Sequence, residues 1–123
     1  MNATPSLTIA CLCANWCGTC RDYEAIFDAL TAALPGHHFR WVDIEDEADL
    51  AGDVDVETFP TLLIAQGAQV LFAGPVLPKE ADSLRLITSV ADGLAAGHQA
   101  PAARMPAAER APYEAVAAAL QAG

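Results

Sequence analysis

At 123 residues the chain is one domain, long enough for a single core but short of the roughly 200 residues that a strand–helix barrel needs. A hydrophobic fraction of 54% argues against disorder, and 16 acids against 6 bases give a formal net charge of −10, which removes the basic footprint that nucleic-acid binding requires. Met1 to Ser6 carries no basic segment and the apolar run after it is too short to cross a bilayer, so a cytoplasmic protein is expected.

The run Leu7 to Cys13 suits a buried strand. After it, Tyr23, Ile26, Phe27, Leu30 and Leu34 fall on one face of a helix, predicted from Gly18 to Leu34 and stopped by Pro35-Gly36. Between strand and helix stands Trp16-Cys17-Gly18-Thr19-Cys20. The strand therefore delivers Cys17 to a helix N-terminus, where unpaired backbone N–H groups and the positive end of the helix dipole favour a thiolate over a thiol. Cys17 is then the expected nucleophile. Cys20 sits about one turn further in, where its sulfur can reach back and resolve a mixed disulfide formed at Cys17.

His38 to Ile44 reads as the second strand, and a strand–helix–strand unit of this length predicts a parallel pair. Eight acids lie between Asp43 and Glu57 with no Lys or Arg among them, read as a solvated loop with a short acidic helix over Asp46 to Gly52. Thr61 to Ala65 and Val70 to Ala73 form a predicted antiparallel hairpin joined by Gln66-Gly67-Ala68-Gln69. Pro78 is expected to open the next helix, with Leu84, Ile87, Ala91 and Leu94 on its inner face and Gly97 as its stop. Gly97 to Pro112 reads as an Ala/Pro-rich linker with one helical turn. Pro112 is expected to start a last helix with the narrow stripe Tyr113, Val116 and Leu120.

The cysteines admit other chemistry. A lone C-x-x-C also serves as half of a zinc site, but a closed site takes four Cys or His ligands and no cysteine follows Cys20. His37, His38 and His98 read as solvated surface, and no metal ligands are assigned. Cys13, Cys17 and Cys20 spell the C-x-x-x-C-x-x-C with which radical enzymes using S-adenosylmethionine hold an iron–sulfur cluster; those enzymes resemble large barrels, for which this chain is too short. Cys11 and Cys13 share one face of the first strand and read as small buried hydrophobes. Their Cα atoms, about 6.5 to 7 Å apart on an extended strand, predict that they do not pair with each other and remain thiols. Their closeness to the dithiol leaves a redox or metal role open.

With the dithiol placed, the sequence resembles the thioredoxin family over about Leu7 to Leu94. The residues that carry the likeness are Ala14-Asn15-Trp16-Cys17-Gly18-Thr19-Cys20-Arg21, the strand Trp41-Val42-Asp43-Ile44-Glu45, and Thr58-Phe59-Pro60-Thr61-Leu62-Leu63-Ile64. The resemblance implies a cis peptide bond before Pro60, which would lie against the dithiol while the Thr58 backbone meets an extended substrate; only proline makes such a bond accessible. It also implies the sheet order second, first, third, fourth strand. Thr19 stands where thioredoxins proper have proline. The family's buried acid falls on Cys11 and its nearby lysine on Trp41. The strand and helix that precede the dithiol strand in the family have no counterpart in Met1 to Ser6.

The fold expected is α/β: a thioredoxin-like three-layer fold lacking the first strand and helix, with a mixed four-stranded sheet flanked by helices and a C-terminal helical extension. Residues 1–96 are the expected domain, and 97–123 the linker and a helix packing on it. The expected function is that of a thiol-disulfide oxidoreductase with Cys17 and Cys20 as catalytic residues, Gly18 and Thr19 in the active-site loop, and Trp16, Thr58, Phe59 and Pro60 binding substrate. No cofactor is required. Expected partners are protein or small-molecule disulfides or dithiols and an electron donor, with no nucleic acid or membrane, and the chain is a monomer or a weak homodimer. The alternative is a binding or adaptor module of the same fold with a slow or idle dithiol. The third reading is a metal or iron–sulfur binder through Cys13, Cys17 and Cys20.

Overall fold

In a computed structural model describing residues 6–14, 17–52, 54 and 60–122, the apolar run becomes strand β1 (Thr8–Cys13) and the amphipathic segment helix α1 (Gly18–Ala33). Helix α1 ends at Leu34, whose N–H donates to the Leu30 carbonyl (2.9 Å), one residue before Pro35. Strand β2 (His38–Asp43) pairs in parallel with β1 from Thr8↔His38 to Cys13↔Asp43. A short helix, α2 (Ala48–Ala51), follows, and then the hairpin of β3 (Thr61–Gln66) and β4 (Gln69–Pro75). Strand β3 runs antiparallel to β1, which fixes the order β2-β1-β3-β4. This is the mixed four-stranded α/β sheet flanked by helices that the sequence predicts, with β2 at one edge.

The hairpin is tighter than expected. Gln66 pairs with Gln69, so the turn is only Gly67-Ala68, and Gly67 takes φ of 59°, a conformation that glycine adopts without steric cost. A register shift after Ile64↔Phe72 brings Ala65 opposite Val70, leaving Leu71 as the extra residue of a β-bulge. The bulge breaks strict alternation, so Leu71 and Phe72 both pack on the core under α1 while Val70 and Ala73 pack on the opposite face.

Helix α3 (Glu80–Ala95) begins two residues after Pro78, with Lys79 as its N-cap; Glu80 and Asp82 in its first turn favour that start electrostatically. It closes with Gly97 at φ 80°, the His98 N–H donating to Gly93 O (2.8 Å) and the Gly97 N–H to Leu94 O (3.1 Å), so two end carbonyls are satisfied. A 3-10 turn at Pro101–Arg104 precedes the last helix, α4 (Ala107–Ala122), which starts five residues before the predicted Pro112. The reason is the helix-forming run Ala107-Ala108-Glu109-Arg110, whose first carbonyl acceptor is Pro106: the Glu109 and Arg110 N–H groups both donate to it at 3.0 Å. Pro112 falls inside the helix, where it supplies no N–H.

Alternation along β1 divides the core in two. Ile9, Cys11 and Cys13 face α1 and α3 with Tyr23, Phe27, Leu30, Leu62, Ile64 and Ile87. Ala10 and Leu12 face the other way, with Val42, Leu63, Ala65 and Val70, and there Ala102, Val116 and Ala117 are buried against them while Tyr113 and Leu120 pack alongside. The layers are thus helix, sheet, helix, and α4 forms much of the third.

Two of the polar residues are more engaged than solvated side chains would be. Asp43, only 7% exposed, accepts at Oδ1 from the N–H groups of Glu45 (2.9 Å) and Asp46 (3.0 Å), closing the turn after β2. His37, half-buried, accepts at Nδ1 from the Leu7 N–H (3.0 Å), tying the start of β1 to the turn before β2. Burial first, and the neighbouring His38 second, lower the His37 pKa from its ordinary 6.5, favouring the neutral imidazole that can accept this bond. The folded state binds the proton less well than the unfolded chain, so this stabilisation is complete above pH 6.5 and is lost as pH falls through the lowered folded value. Melting temperature should therefore fall below about pH 6.5, and His37→Ala should flatten that part of the profile; a slope untouched by the substitution would contradict the assignment.

Candidate active site

The cysteines gather where β1 ends and α1 begins, at the carboxyl ends of the two parallel strands. Cys17 is the N-cap of α1, at φ −84° and ψ 119°. Its N–H donates to Ala14 O (3.0 Å) and its carbonyl accepts from the Arg21 N–H (3.2 Å), which holds the backbone at the helix entrance. Its sulfur makes no capping hydrogen bond and is a free thiol, half-buried, packed against the α1-side core. Gly18 is exposed, and a Cβ there would meet nothing within 4 Å; Thr19 is half-buried. Cys20, in the first turn, is 1% exposed.

Cys20 is bonded to Cys13, with their Cα atoms 5.8 Å apart. This corrects the expectation that Cys13 is a plain core thiol. The last residue of β1 and the first turn of α1 converge on the same sheet face, bringing residues seven apart within disulfide reach. Cys17 and Cys20 are therefore not joined in this structure. Cys11 and Cys13, as expected, are not bonded to each other, though their sulfurs approach to 3.6 Å. Since Cys13 is in a disulfide, the hydrogen in that contact belongs to Cys11, a weak donor to the Cys13 sulfur. Burial pushes the pKa of the Cys11 thiol far up and keeps it neutral.

Tyr23 closes the floor of this region, with its hydroxyl 2.7 Å from Ser83 Oγ, a buried polar contact between α1 and α3. Its pKa is pushed up to about 12, chiefly by burial. Trp41, at the position where the resemblance puts a lysine, packs edge-on against Phe27 with ring centroids 5.7 Å apart, an apolar contact. The ground beneath the disulfide is thus neutral at Cys11 and Tyr23. Among the described residues, no group of three or more His, Cys, Asp or Glu side chains is placed to hold a metal ion.

Pro60 is buried, and its carbonyl accepts from the Val76 N–H (3.0 Å). Strands β1 and β3 pair as far as Leu12↔Thr61, so Pro60 precedes β3 at the end of the sheet where β1 finishes at Cys13. Trp16, Thr58 and Phe59 lie outside the described residues, as does the peptide bond into Pro60. No helix among the described residues is long and apolar enough to cross a membrane.

A family model described as Thioredoxin matches residues 2–85. Rice (Oryza sativa subsp. japonica) thioredoxin H2-1 is 28% identical over 81 residues, spanning 66% of this chain and 57% of that protein. A thioredoxin of Ophiophagus hannah is 32% identical over 60 residues, 49% of this chain and 57% of that one. The chain thus spans little more than half the length of these curated relatives. The X-ray structure of Fasciola hepatica thioredoxin superposes with a TM-score of 0.62 at 23% identity, over 70% of this chain and 82% of that one, a likeness of fold. Most of the chain matches the family model, and the sheet order and the strand–dithiol–helix junction agree with the sequence resemblance, so the chain belongs to the thioredoxin family.

Proposed function

We propose that the protein is a thiol-disulfide oxidoreductase working through a mixed disulfide, with Cys17 as nucleophile and Cys20 as resolving thiol. The observation that carries this reading is the free, half-exposed Cys17 sulfur at the N-cap of α1, one helical turn from a buried cysteine already engaged in a disulfide. Membership of the thioredoxin family supports it. Cys17 thiolate attacks one sulfur of a substrate disulfide and expels the other as a thiolate. Cys20 thiolate then attacks the Cys17 sulfur, forming Cys17–Cys20 and releasing the second substrate thiolate. Two electrons pass from protein to substrate, and an electron donor restores the dithiol. Substrates are protein or small-molecule disulfides, docked along Trp16, Thr58, Phe59 and Pro60, and no cofactor takes part.

A second reading has an observation in its favour: with Cys20 bonded to Cys13, Cys17 stands alone, as it would in a binding or adaptor module whose dithiol is idle. Insulin reduction separates the two. With dithiothreitol as donor, catalytic amounts of an oxidoreductase hasten the precipitation of the insulin B chain; an adaptor leaves the uncatalysed rate unchanged.

A further inference from the structure

The proposed reaction uses two cysteines, whereas the chain has four, with the other two in the strand that leads to the site. Cys20 has two possible partners. One is Cys17, three residues earlier, where residues at this spacing on a helix face one another. The other is Cys13, to which it is bonded here, with Cα atoms 5.8 Å apart. The two bonds differ in access: Cys13 is 0% and Cys20 1% exposed, so Cys13–Cys20 is sealed, while a bond to half-buried Cys17 leaves one sulfur open to an incoming thiol.

We infer that Cys20 alternates between two disulfides, an accessible one with Cys17 and a sealed one with Cys13, and that exchange between them lets the oxidised protein present Cys17 as a free thiol. This rests on the proposed oxidoreductase reading and adds Cys13 to it as a third exchanging thiol. The step is an isomerisation. Cys13 thiolate attacks Cys20 Sγ in the Cys17–Cys20 bond, the Sγ–Sγ bond to Cys17 breaks, and Cys17 leaves as a thiolate. The proton that Cys13 gave up to solvent is matched by the one Cys17 can take from it. One disulfide exists before and after, so no oxidant or reductant enters.

Two features of the site suit this exchange. The attacking and leaving sulfurs differ in setting: Cys13 ends β1 and is fully buried, while Cys17 is the half-buried N-cap of the helix that carries Cys20. Cys11 stands 3.6 Å from the Cys13 sulfur with the only hydrogen in that contact. In the reverse direction, when Cys17 displaces Cys13, that S–H lies where negative charge appears on the departing sulfur, which makes Cys11 a positioning residue for the buried arm.

Sealing one disulfide has a consequence for the substrate cycle. After a substrate has been reduced, transfer of the bond inward removes it from thiols in solution, so reoxidation of a released substrate by the accessible bond is suppressed. The inward form is then the resting oxidised state, and a reductant reaches it only through Cys17.

Thiol counts in denaturant and native alkylation test this directly. Because the chain has four cysteines, Cys17→Ser leaves three thiols when reduced, and mild oxidation should lower the count to one by closing Cys13–Cys20. Persistence of all three thiols would overturn the inference. In oxidised wild-type protein a maleimide should label Cys17 under native conditions, located by tandem mass spectrometry, and the label should be lost in the oxidised double variant Cys11→Ala, Cys13→Ala, where Cys20 can close only on Cys17. Cys17 left unlabelled in oxidised wild type would equally overturn the shared-sulfur scheme. Insulin reduction by the wild type is the separate readout: if it proceeds while both thiol tests fail, the two-cysteine mechanism stands and Cys13 is outside it; if it fails while the thiol tests succeed, the exchange exists in a protein that is not the proposed reductase.

Discussion

Deleting residues 98–123 should cost the protein most of its stability. The family match ends at residue 85, yet the layer that closes the sheet face opposite α1 comes largely from beyond it. Val116 and Ala117 of α4 and Ala102 of the 3-10 turn are at most 1% exposed, and the residues they cover, Ala10, Leu12, Val42, Leu63 and Ala65, are buried just as fully. Burial of one large aliphatic side chain is worth ~1.5 to 3 kcal/mol, so uncovering Leu12, Val42 and Leu63 while removing Val116 forfeits about 5 kcal/mol or more, comparable to the whole stability of a small domain. Polar ties go as well: Gln121 Nε2 donates to Thr8 Oγ1 (3.2 Å), and Arg110 Nη1 donates to the carbonyls of Ala102 and Met105 (both 3.3 Å). The truncated chain should melt far lower or self-associate through the bared face. An unchanged melting curve together with an unchanged mass in solution would show that the tail covers nothing.

The second large effect belongs to Cys17. Cys17→Ser replaces the one half-exposed thiol by a hydroxyl of similar size that does not ionise near neutral pH, at a position on the margin of the α1-side core. Insulin reduction should fall to the uncatalysed rate with the melting temperature close to that of the wild type. Retention of more than a small fraction of the activity would transfer the nucleophilic role to another cysteine. Burial does not rank the other three for that role, since Cys11, Cys13 and Cys20 are all at most 1% exposed, and mapping the adduct would identify it.

Much of the fold was legible because periodicity carries it. The apolar run Leu7 to Cys13 and the five-residue stripe of α1 gave the elements to within a residue or two, and the parallel pairing followed from their connection. The stripe Tyr113, Val116 and Leu120 was legible as a face, although the start of its helix was not, because Pro112 sits inside α4 where a proline more often begins one. The bulge at Leu71 was hidden for a similar reason: an apolar run of Val70, Leu71 and Phe72 does not reveal which two share a face. At the site, the placing of Cys17 at a helix N-terminus was readable from order alone. The Cys13–Cys20 bond was not, since it depends on how closely the end of a strand approaches the first turn of the next helix, a distance that no pattern along the chain encodes. The spacing Cys13, Cys17, Cys20 was the available signal, and it spelled a cluster motif that the length of the chain argues against. His37 was likewise invisible as an acceptor, because its donor, the Leu7 N–H, lies thirty residues earlier.

The claim that Cys17 performs the first chemical step is tested most directly by arresting the reaction after it. Cys20→Ser removes the resolving thiol and leaves Cys17 at the helix cap, so incubation of the reduced variant with a peptide disulfide should yield a covalent adduct. Its mass should exceed that of the protein by one peptide thiol less two hydrogens, map to Cys17 by tandem mass spectrometry, and revert on addition of dithiothreitol. No adduct, or an adduct carried by Cys11 or Cys13, would contradict the account.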